Sequence, residues 1–569
     1  MLGRACQAGF LVALFVLSMG LGAVESSILN DRPLAEQRSQ GVNNVVDVPN
    51  HRVGDEWVYE TKFDVSQLLA QANVSASINA LTGDTTNEVT DIFYATDNNG
   101  DTVLAYEIEI SGSFTSGNNN ANLEGIPGRL DIDYDGIDII RARDLATITS
   151  DFTLDVRFRP YSLGFLEQTL GIVTFDNTYT PAKERYDFPI RNGDQWWMEF
   201  EAKTEVSGTS NYFDPTEFDS QEDENNSWQV IKNEAPVEDG ATPQYTGCDD
   251  SYKIAEWNAT GVNLGFNWYC PAVRNYVWNR IVNPAGFSID WILKTYSPAD
   301  SNSVVPAASP GGRNTQIHVS TATTATLPDA IEQVSIEYSV AGSPSIPIKN
   351  TNLQLRYEIA GSILNPTTDN NGQAQVSLNV SDEVDDTPAS DDYTSNGIVV
   401  YDPVADVVGA TTVVQDLNVV GIDLVAQASS VIVERTRNGD TSTLGASIGY
   451  NALPGDVLTF SLPAQNRGVL SAPSTFMEVE TPDGVVSRSA LPVIAPYAEE
   501  RVLVDWSVPT DMPIGTAQLT FTVDPDENVS ADANRTNNDA SISVFIGRAP
   551  NASLVVDEGR YTFENVTLN

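Results

Sequence analysis

Alternation of apolar and polar residues is the feature that most restricts what this chain can fold into. Over Thr102–Ile110, Leu130–Ile140, Phe152–Phe158 and Gly171–Thr180, apolar and polar residues take turns. A two-residue period puts every second side chain on one face of an extended strand, and it defeats an amphipathic helix, whose apolar stripe needs spacings of three and four. One buried and one wet face is the signature of antiparallel sheet. Such stretches recur along the chain, so the expected class is mainly β. With 569 residues the chain is too long for one core, and 41% hydrophobic residues suffice for several.

Turn chemistry divides the strands. Val53-Gly54-Asp55-Glu56-Trp57-Val58-Tyr59 launches an aromatic strand from a Gly-Asp turn, and Asn192-Gly193-Asp194-Gln195-Trp196-Trp197-Met198 repeats the device. The two read as an internal pseudo-repeat in one domain, residues 50–297, whose closing strands are Ser251–Ile254, Asn267–Pro271, Val277–Arg280 and Trp291–Tyr296. Val65–Leu81 reads as a short helix or a further strand. Residues 24–49 form a polar lead-in. Residues 298–315, rich in Pro, Ser, Gly and Ala, read as a linker. In the next segment, 316–420, Asp369-Asn370-Asn371-Gly372 between alternating runs predicts a hairpin, because Asn and Gly accept positive φ.

The first residues point to export. Arg4 precedes the apolar run Phe10–Leu17, extended through Met19 and Leu21, and Gly20, Gly22 and Ala23 offer a cleavage site, so 1–23 read as a signal peptide. No other apolar run approaches the length a bilayer needs, and no membrane span is expected in the mature chain. Two cysteines remain after processing, Cys248 and Cys270. In an exported chain they are expected to form a disulfide, worth on the order of 3 kcal/mol through loop closure. Sequons at Asn73, Asn225, Asn258, Asn379, Asn528, Asn534, Asn551 and Asn565 permit glycosylation.

Charge excludes one class of partner. The 78 acids against 30 bases give a net charge of -48, spread along the chain. Without a basic face, nucleic acid is not an expected partner. Dispersed acidity suits a solvated, self-repelling surface, with cation binding as the alternative.

Several stretches resemble known modules. Gly421-Ile422-Asp423-Leu424, the Pro454-Gly455-Asp456 turn, Leu458 and Phe460, Asn466-Arg467-Gly468, Val502–Trp506, Ala517–Val523 and the acidic loop Val523–Asp539 together resemble a CARDB-type module over about 421–546. That resemblance implies an extracellular Ig-like β-sandwich and no reaction. Ser530-Ala531-Asp532 stand where that family usually carries a glutamate. Thr368-Asp369 with Asn371-Gly372 and Ala374 resembles Ig-like repeats of surface proteins, and the Gly-Asp-x-Trp domain is similar to uncharacterised N-terminal modules of secreted archaeal and bacterial proteins, which are compared with curved, lipoprotein-carrier-like sheets. Ala549–Val556 and Tyr561–Leu568 look like the first strands of a PKD-like domain at 547–569. Two strands bury no core, so further sequence is expected beyond them. The expected architecture is tandem Ig-like sandwiches following a larger antiparallel β-rich domain.

Chemistry-bearing candidates are few. Asp131-Ile132-Asp133-Tyr134-Asp135-Gly136 matches the start of a calcium loop, although Ala142 stands where a bidentate glutamate belongs; the competing reading is an Asp-Gly hairpin. Asp524, Asp526 and Glu527 form a second acidic turn with the same two readings. Calcium is the sole cofactor these patterns suggest. Gly445-Ala446-Ser447-Ile448-Gly449 fits the hydrolase elbow in letters only, because the elbow needs an α/β sheet and a histidine, and the histidines are His51 and His318. Trp257, Trp268, Tyr269, Tyr276, Trp278 and Trp291 are either an aromatic binding surface or core around the disulfide.

The expectation is a non-enzymatic secreted or cell-surface modular protein for adhesion or ligand capture, its partner an extracellular protein, a glycan or an apolar ligand, with sandwich modules as spacers. Two alternatives stand beside it: a carrier of apolar ligands or lipids through a curved N-terminal sheet, and a polysaccharide-acting enzyme with accessory modules. A large apolar pocket in 50–297 would favour the carrier, and two facing carboxylates in a cleft the enzyme.

Overall fold

The computed structural model describes residues 46–548 and strands 553–557 and 560–564, without 65–75, 79, 119, 124, 162–166, 211–213, 239–240, 284–286, 300–314, 327–329, 341–344, 358–361, 381–392, 417–420 and 445–449. The expected signal peptide, Asn73, Asn551, Asn565, the Gly445–Gly449 motif, most of the expected linker and most of Val65–Leu81 lie outside the described residues. The described residues are mainly β, in two compact units that divide at Val420/Gly421.

The first unit opens with fourteen strands: β1 (Glu56–Asp64), β2 (Ala76–Ile78), β3 (Leu81–Thr96), β4 (Thr102–Thr115), β5 (Ala121–Leu123), β6 (Ile126–Arg141), β7 (Thr147–Pro160), β8 (Gln168–Lys183), β9 (Gln195–Ser210), β10 (Ser220–Glu234), β11 (Ser251–Asn258), β12 (Asn263–Cys270), β13 (Asn275–Asn283) and β14 (Phe287–Ser297). Short β2 and β5 extend from one edge of β6. The other twelve pair antiparallel, each with the next ring strand in sequence, and β14 returns to β1, so the sheet closes. The result is an up-and-down barrel with no open edge around the ring. The expected curved sheet is thus a closed one.

Alternation decides which face is dry. Trp57, Tyr59 and Phe63 of β1, Leu130 and Ile132 of β6, and Trp196, Met198 and Phe200 of β9 are buried inside. Glu56, Glu60 and Lys62, Asp131, Asp133 and Asp135, and Glu199, Glu201 and Lys203 alternate with them. A charged outside and an apolar inside is the reverse of a membrane-spanning barrel. Asp131–Gly136 lies within β6, whose continuous pairing with β7 overturns the hairpin reading. Only glycine fits at position 265: its φ is +132°, and a Cβ there would stand 1.9 Å from the Arg280 carbonyl oxygen.

The two Gly-Asp turns are one structure used twice. Gly54 (φ +92°) donates its N–H to Val89 O, Val89 N–H donates to Asp55 O, and the Asp55 carboxylate accepts from Arg52 N–H at 2.9 Å. Gly193 (φ +89°), Val230, Asp194 and Arg191 repeat each bond, the last at 2.8 Å. They open β1 and β9, the first and seventh of the ring strands, so each begins a six-stranded half. The preceding segments match as well, Asp47-Val48-Pro49 against Asp187-Phe188-Pro189, and Val46 and Ile190 exchange both backbone hydrogen bonds. Cys248 and Cys270 form a disulfide between the segment after β10 and the end of β12.

Residues 315–416 form a two-sheet sandwich, with Thr315–Thr321, Ala330–Val340, Ile346–Pro347 and Gln373–Val380 in one sheet and Ala325–Thr326, Gln354–Tyr357, Ser362–Leu364, Tyr393–Asp402 and Val407–Asp416 in the other. Asp369–Gly372 is a tight turn, its carboxylate accepting from Asn371 and Gln373 N–H. It does not make the expected hairpin, because Ser362–Leu364 and Gln373–Val380 belong to different sheets. The module is also no detached spacer. Val399, Tyr401, Val408 and Ala410 join the barrel's own core cluster, and the Asp47 carboxylate accepts from Thr411 Oγ1, Thr412 N and Thr412 Oγ1 at 2.6–2.9 Å.

The second unit is a sandwich of two five-stranded sheets. Leu458, Phe460, Leu462, Met477, Trp506 and Phe521 lie in its apolar core. A third Gly-Asp turn stands here: Gly455 N–H donates to Val508 O, Val508 N–H donates to Asp456 O, and the Asp456 carboxylate accepts from Leu453 N–H at 2.7 Å. Ser553–Asp557 and Arg560–Glu564 pair as a hairpin.

Candidate functional site

The barrel interior holds a cavity of about 300 Å³. A sandwich core is closed by side chains meeting across about 10 Å, whereas a ring of twelve strands is wider than the eight whose side chains just fill it. Its walls are largely apolar, including Phe63, Ile132, Phe152, Leu154, Ile281 and Trp291. Set into them are Asp138 on β6, Lys183 and Arg185 at and beyond the end of β8, and Glu256 on β11, with Tyr134, Tyr179, Tyr186 and Tyr276 around them.

The charges are unequally partnered. Glu256 lies 3.3 Å from Lys183 Nζ and accepts hydrogen bonds from Asn226 Nδ2, at 3.1 Å, and from Trp228. Burial alone would raise its pKa, but Lys183 and Arg185 hold it below the ordinary value. Asp138 accepts one short bond from Ser150 Oγ at 2.6 Å, and burial pushes it up against the pull of that bond and of Arg185. Arg185 is the exception. Its buried Nε finds no hydrogen-bond partner among the described residues. Burial works against its charge, yet Glu256, Tyr179, Tyr186 and Asp138 keep its pKa above the ordinary value. The Oδ1 atoms of Asn87 and Asn267, which also line the cavity, are buried and unpartnered too. Burial raises Tyr179 and Tyr276 to about 12, so both stay phenolic at neutral pH. His51, edge-on to Trp57 and Tyr106, is lowered to about 3 by burial and then by Arg274.

The aromatic set splits between two faces. Tyr276 and Trp291 line the cavity, and Tyr269 packs on Tyr186 and Phe188. Trp268 and Trp278 pair in register on the other face, both nearly sealed from solvent. Trp268 donates to Glu238 at 2.7 Å beneath Lys232 and Lys253, while Trp278 donates to Asp290 at 2.9 Å beside Arg280. Trp257 is half-buried near the end of β11. The set is one face of core and one of cavity wall, with no single surface.

The acidic candidates are engaged elsewhere. Asp131 meets Arg129 and Arg159, Asp133 meets Arg157 and Ser113, and Asp135 is exposed. Asp524 is buried and closes its own turn, accepting from Asn528 and Val529 N–H and from Thr475 Oγ1. Asp526 pairs with Arg488, and Glu527 has φ +55° in the same turn. Asp532 accepts from Leu424 N–H and Asn538 Nδ2, stitching the loop to the first strand of its module. Among the described residues no three His, Cys, Asp or Glu side chains gather as a metal site. Of the described sequons, Asn379, Asn528 and Asn534 are exposed; Asn225 donates to Glu199 Oε1, and Asn258 caps the turn after β11.

These features define a β-rich modular protein, with a barrel that encloses a mixed polar and apolar cavity. Residues 423–542 match the CARDB family model, and the chain carries a CARDB domain there. Among solved structures, the CARDB domain of a Pyrococcus furiosus protein, in complex with di-metal ions, is 19% identical over 22% of this chain and 94% of its own, at a TM-score of 0.17. A Salmonella alpha-2-macroglobulin mutant is 10% identical over 93% of this chain and 41% of its own, at 0.16. Escherichia coli alpha-2-macroglobulin activated by porcine elastase is 10% identical over 93% and 45%, at 0.15. At such TM-scores these likenesses carry no argument. No curated protein matches the chain.

Proposed function

We propose that this is a non-enzymatic ligand-capture protein that holds a small amphipathic molecule inside the barrel. The cavity of about 300 Å³ carries this reading, since binding sites are concave, mostly apolar and sparsely set with polar groups. Size narrows the carrier alternative. A cavity of about 150 Å³ takes one benzene, so this one is too small for a two-chain lipid. The enzyme alternative is less favoured, because Glu256 is committed to Lys183, Trp228 and Asn226 instead of facing a reacting bond. Secretion or surface display belongs to the same proposal, supported by Arg4 with Phe10–Leu17 and by the disulfide, which persists in oxidising compartments. The CARDB sandwich then serves as a structural module of the same chain.

Titration with the small neutral fluorophore 1-naphthylamine, which is within the size the cavity can hold, tests the reading. Saturable binding to the wild type is expected, weakened at least about tenfold by Ile132→Phe, which fills part of the cavity. Absence of saturable binding to the wild type would overturn it.

A further inference from the structure

Resting on that reading, the polar half of the cavity names the class of ligand. Arginine is seldom buried without a carboxylate or carbonyl to receive its N–H groups, and an unmet buried donor is costly. Here the neighbouring anion is already taken: Glu256 has Lys183 at 3.3 Å and bonds from Asn226 and Trp228, and it reaches Arg185 through charge. Asp138, the other nearby acid, has its own bond from Ser150, and burial drives it toward the uncharged form. Lys183 and Glu256 cancel. What is left facing the cavity is a guanidinium with an unused Nε–H, amid phenols that burial keeps neutral. The apolar lining includes Phe63, Phe152, Ile281 and Trp291.

We propose that the captured ligand is a small monocarboxylate with an apolar body, its head received by Arg185 and its body by Phe63, Phe152, Ile281 and Trp291. Guanidinium and carboxylate match as planar donor and acceptor pairs, which makes arginine selective for this head over a neutral one. By comparison with benzene in about 150 Å³, the body and head together come to on the order of a dozen non-hydrogen atoms. The unpartnered Oδ1 atoms of Asn87 and Asn267 would accept from hydroxyls on such a ligand, so hydroxylated acids should bind more tightly than plain ones.

The test is a calorimetric comparison of decanoate, decanol and decylamine on the full chain. Decanoate is expected to bind at least about tenfold more tightly than decanol, and decylamine more weakly than either. Arg185→Gln should erase the preference for decanoate while leaving decanol affinity within about twofold. Equal binding of decanoate and decanol by the wild type would overturn the carboxylate assignment while sparing the capture reading. Tighter binding of decylamine would overturn it in favour of Asp138 as the pairing group. Binding of none of the three, together with failure of the neutral fluorophore, would remove both readings. The wild-type comparison stands even if the Arg185 variant does not fold.

Discussion

The barrel and the CARDB sandwich start strands from the same Gly-Asp turn, yet they enclose different interiors. In the sandwich, Leu458, Phe460, Met477 and Phe521 meet across two close sheets, and the buried carboxylates of Asp456, Asp524 and Asp532 serve turns at its margins. In the barrel the walls stand farther apart, and Asp138, Lys183, Arg185 and Glu256 line the space between them. Local turn chemistry therefore says nothing about what a sheet will hold. Strand number and closure do, because they set the distance side chains must bridge. Charge is retained where the interior is too wide to fill with hydrocarbon, and the proposed binding specificity rests on it.

The largest expected effect comes from breaking that interior. Lys183→Met takes the nearer cation from the largely buried Glu256, leaving it only the charge of Arg185, and should destabilise the barrel by on the order of 3 kcal/mol. Arg437→Met, at the sandwich's margin, removes a half-exposed partner of Asp456 and should cost about 1 kcal/mol. Urea melts followed by hydrogen exchange on peptides from each unit would compare them. Equal losses would end the contrast.

Acid should separate the two regions next. His51 has a folded pKa of about 3 against an ordinary 6.5, so the unfolded chain binds a proton that the barrel refuses. Stability is therefore lost as pH falls from about 6.5 toward 3, by about 2 kcal/mol at pH 5. His51→Phe should flatten that loss while keeping the packing on Trp57 and Tyr106. The CARDB unit has no histidine. For Asp456, burial is outweighed by the hydrogen bonds of Arg437 and Leu453, which depress its pKa. The stability it contributes is present above its ordinary 3.8 and is lost only as pH falls below that. A sandwich as acid-labile at pH 5 as the barrel would contradict the assignment.

The smallest effect is expected at the acidic turn. Asp526 and Arg488 are both exposed, so Asp526→Ala should leave the sandwich's urea midpoint nearly unchanged. Millimolar calcium should leave the CARDB melting temperature unchanged, since Asp524 already accepts three hydrogen bonds. A calcium-dependent rise that Asp526→Ala abolishes would make this turn a metal site after all.

Much of the architecture was readable because it follows from local rules. Alternation in β4, β6, β7 and β8 announced strands, and the positive-φ glycines announced turns. The matching flanks Asp47-Val48-Pro49 and Asp187-Phe188-Pro189 were in view too, but a one-residue offset before the arginine hid them. The cavity charges left a fainter trace. Asp138 shares its parity with Leu130, Ile132, Tyr134 and Ile140, which marks a carboxylate on a dry face, and Glu256 shares that of Tyr252 and Ile254. Arg185 left none, because it follows the end of β8, where parity no longer tells inside from outside. The Asp131–Gly136 alternation suits a calcium loop or an Asp-Gly hairpin as well as a strand, because calcium loops and strands both place carboxylates at every second position. The Asp369–Gly372 turn likewise showed its own shape and not the sheet on either side.

By itself, then, the sequence determined the strands, the three Gly-Asp turns, the CARDB module and the cysteine pair, all of which depend on residues near one another or on a single reactive type. Tertiary structure alone decided that β14 returns to β1, that β1 and β9 begin equal halves, and that Arg185 faces a space with its Nε–H unused. Closure is a property of twelve pairings taken together, and the partner an arginine lacks is set by what the other walls bring to it.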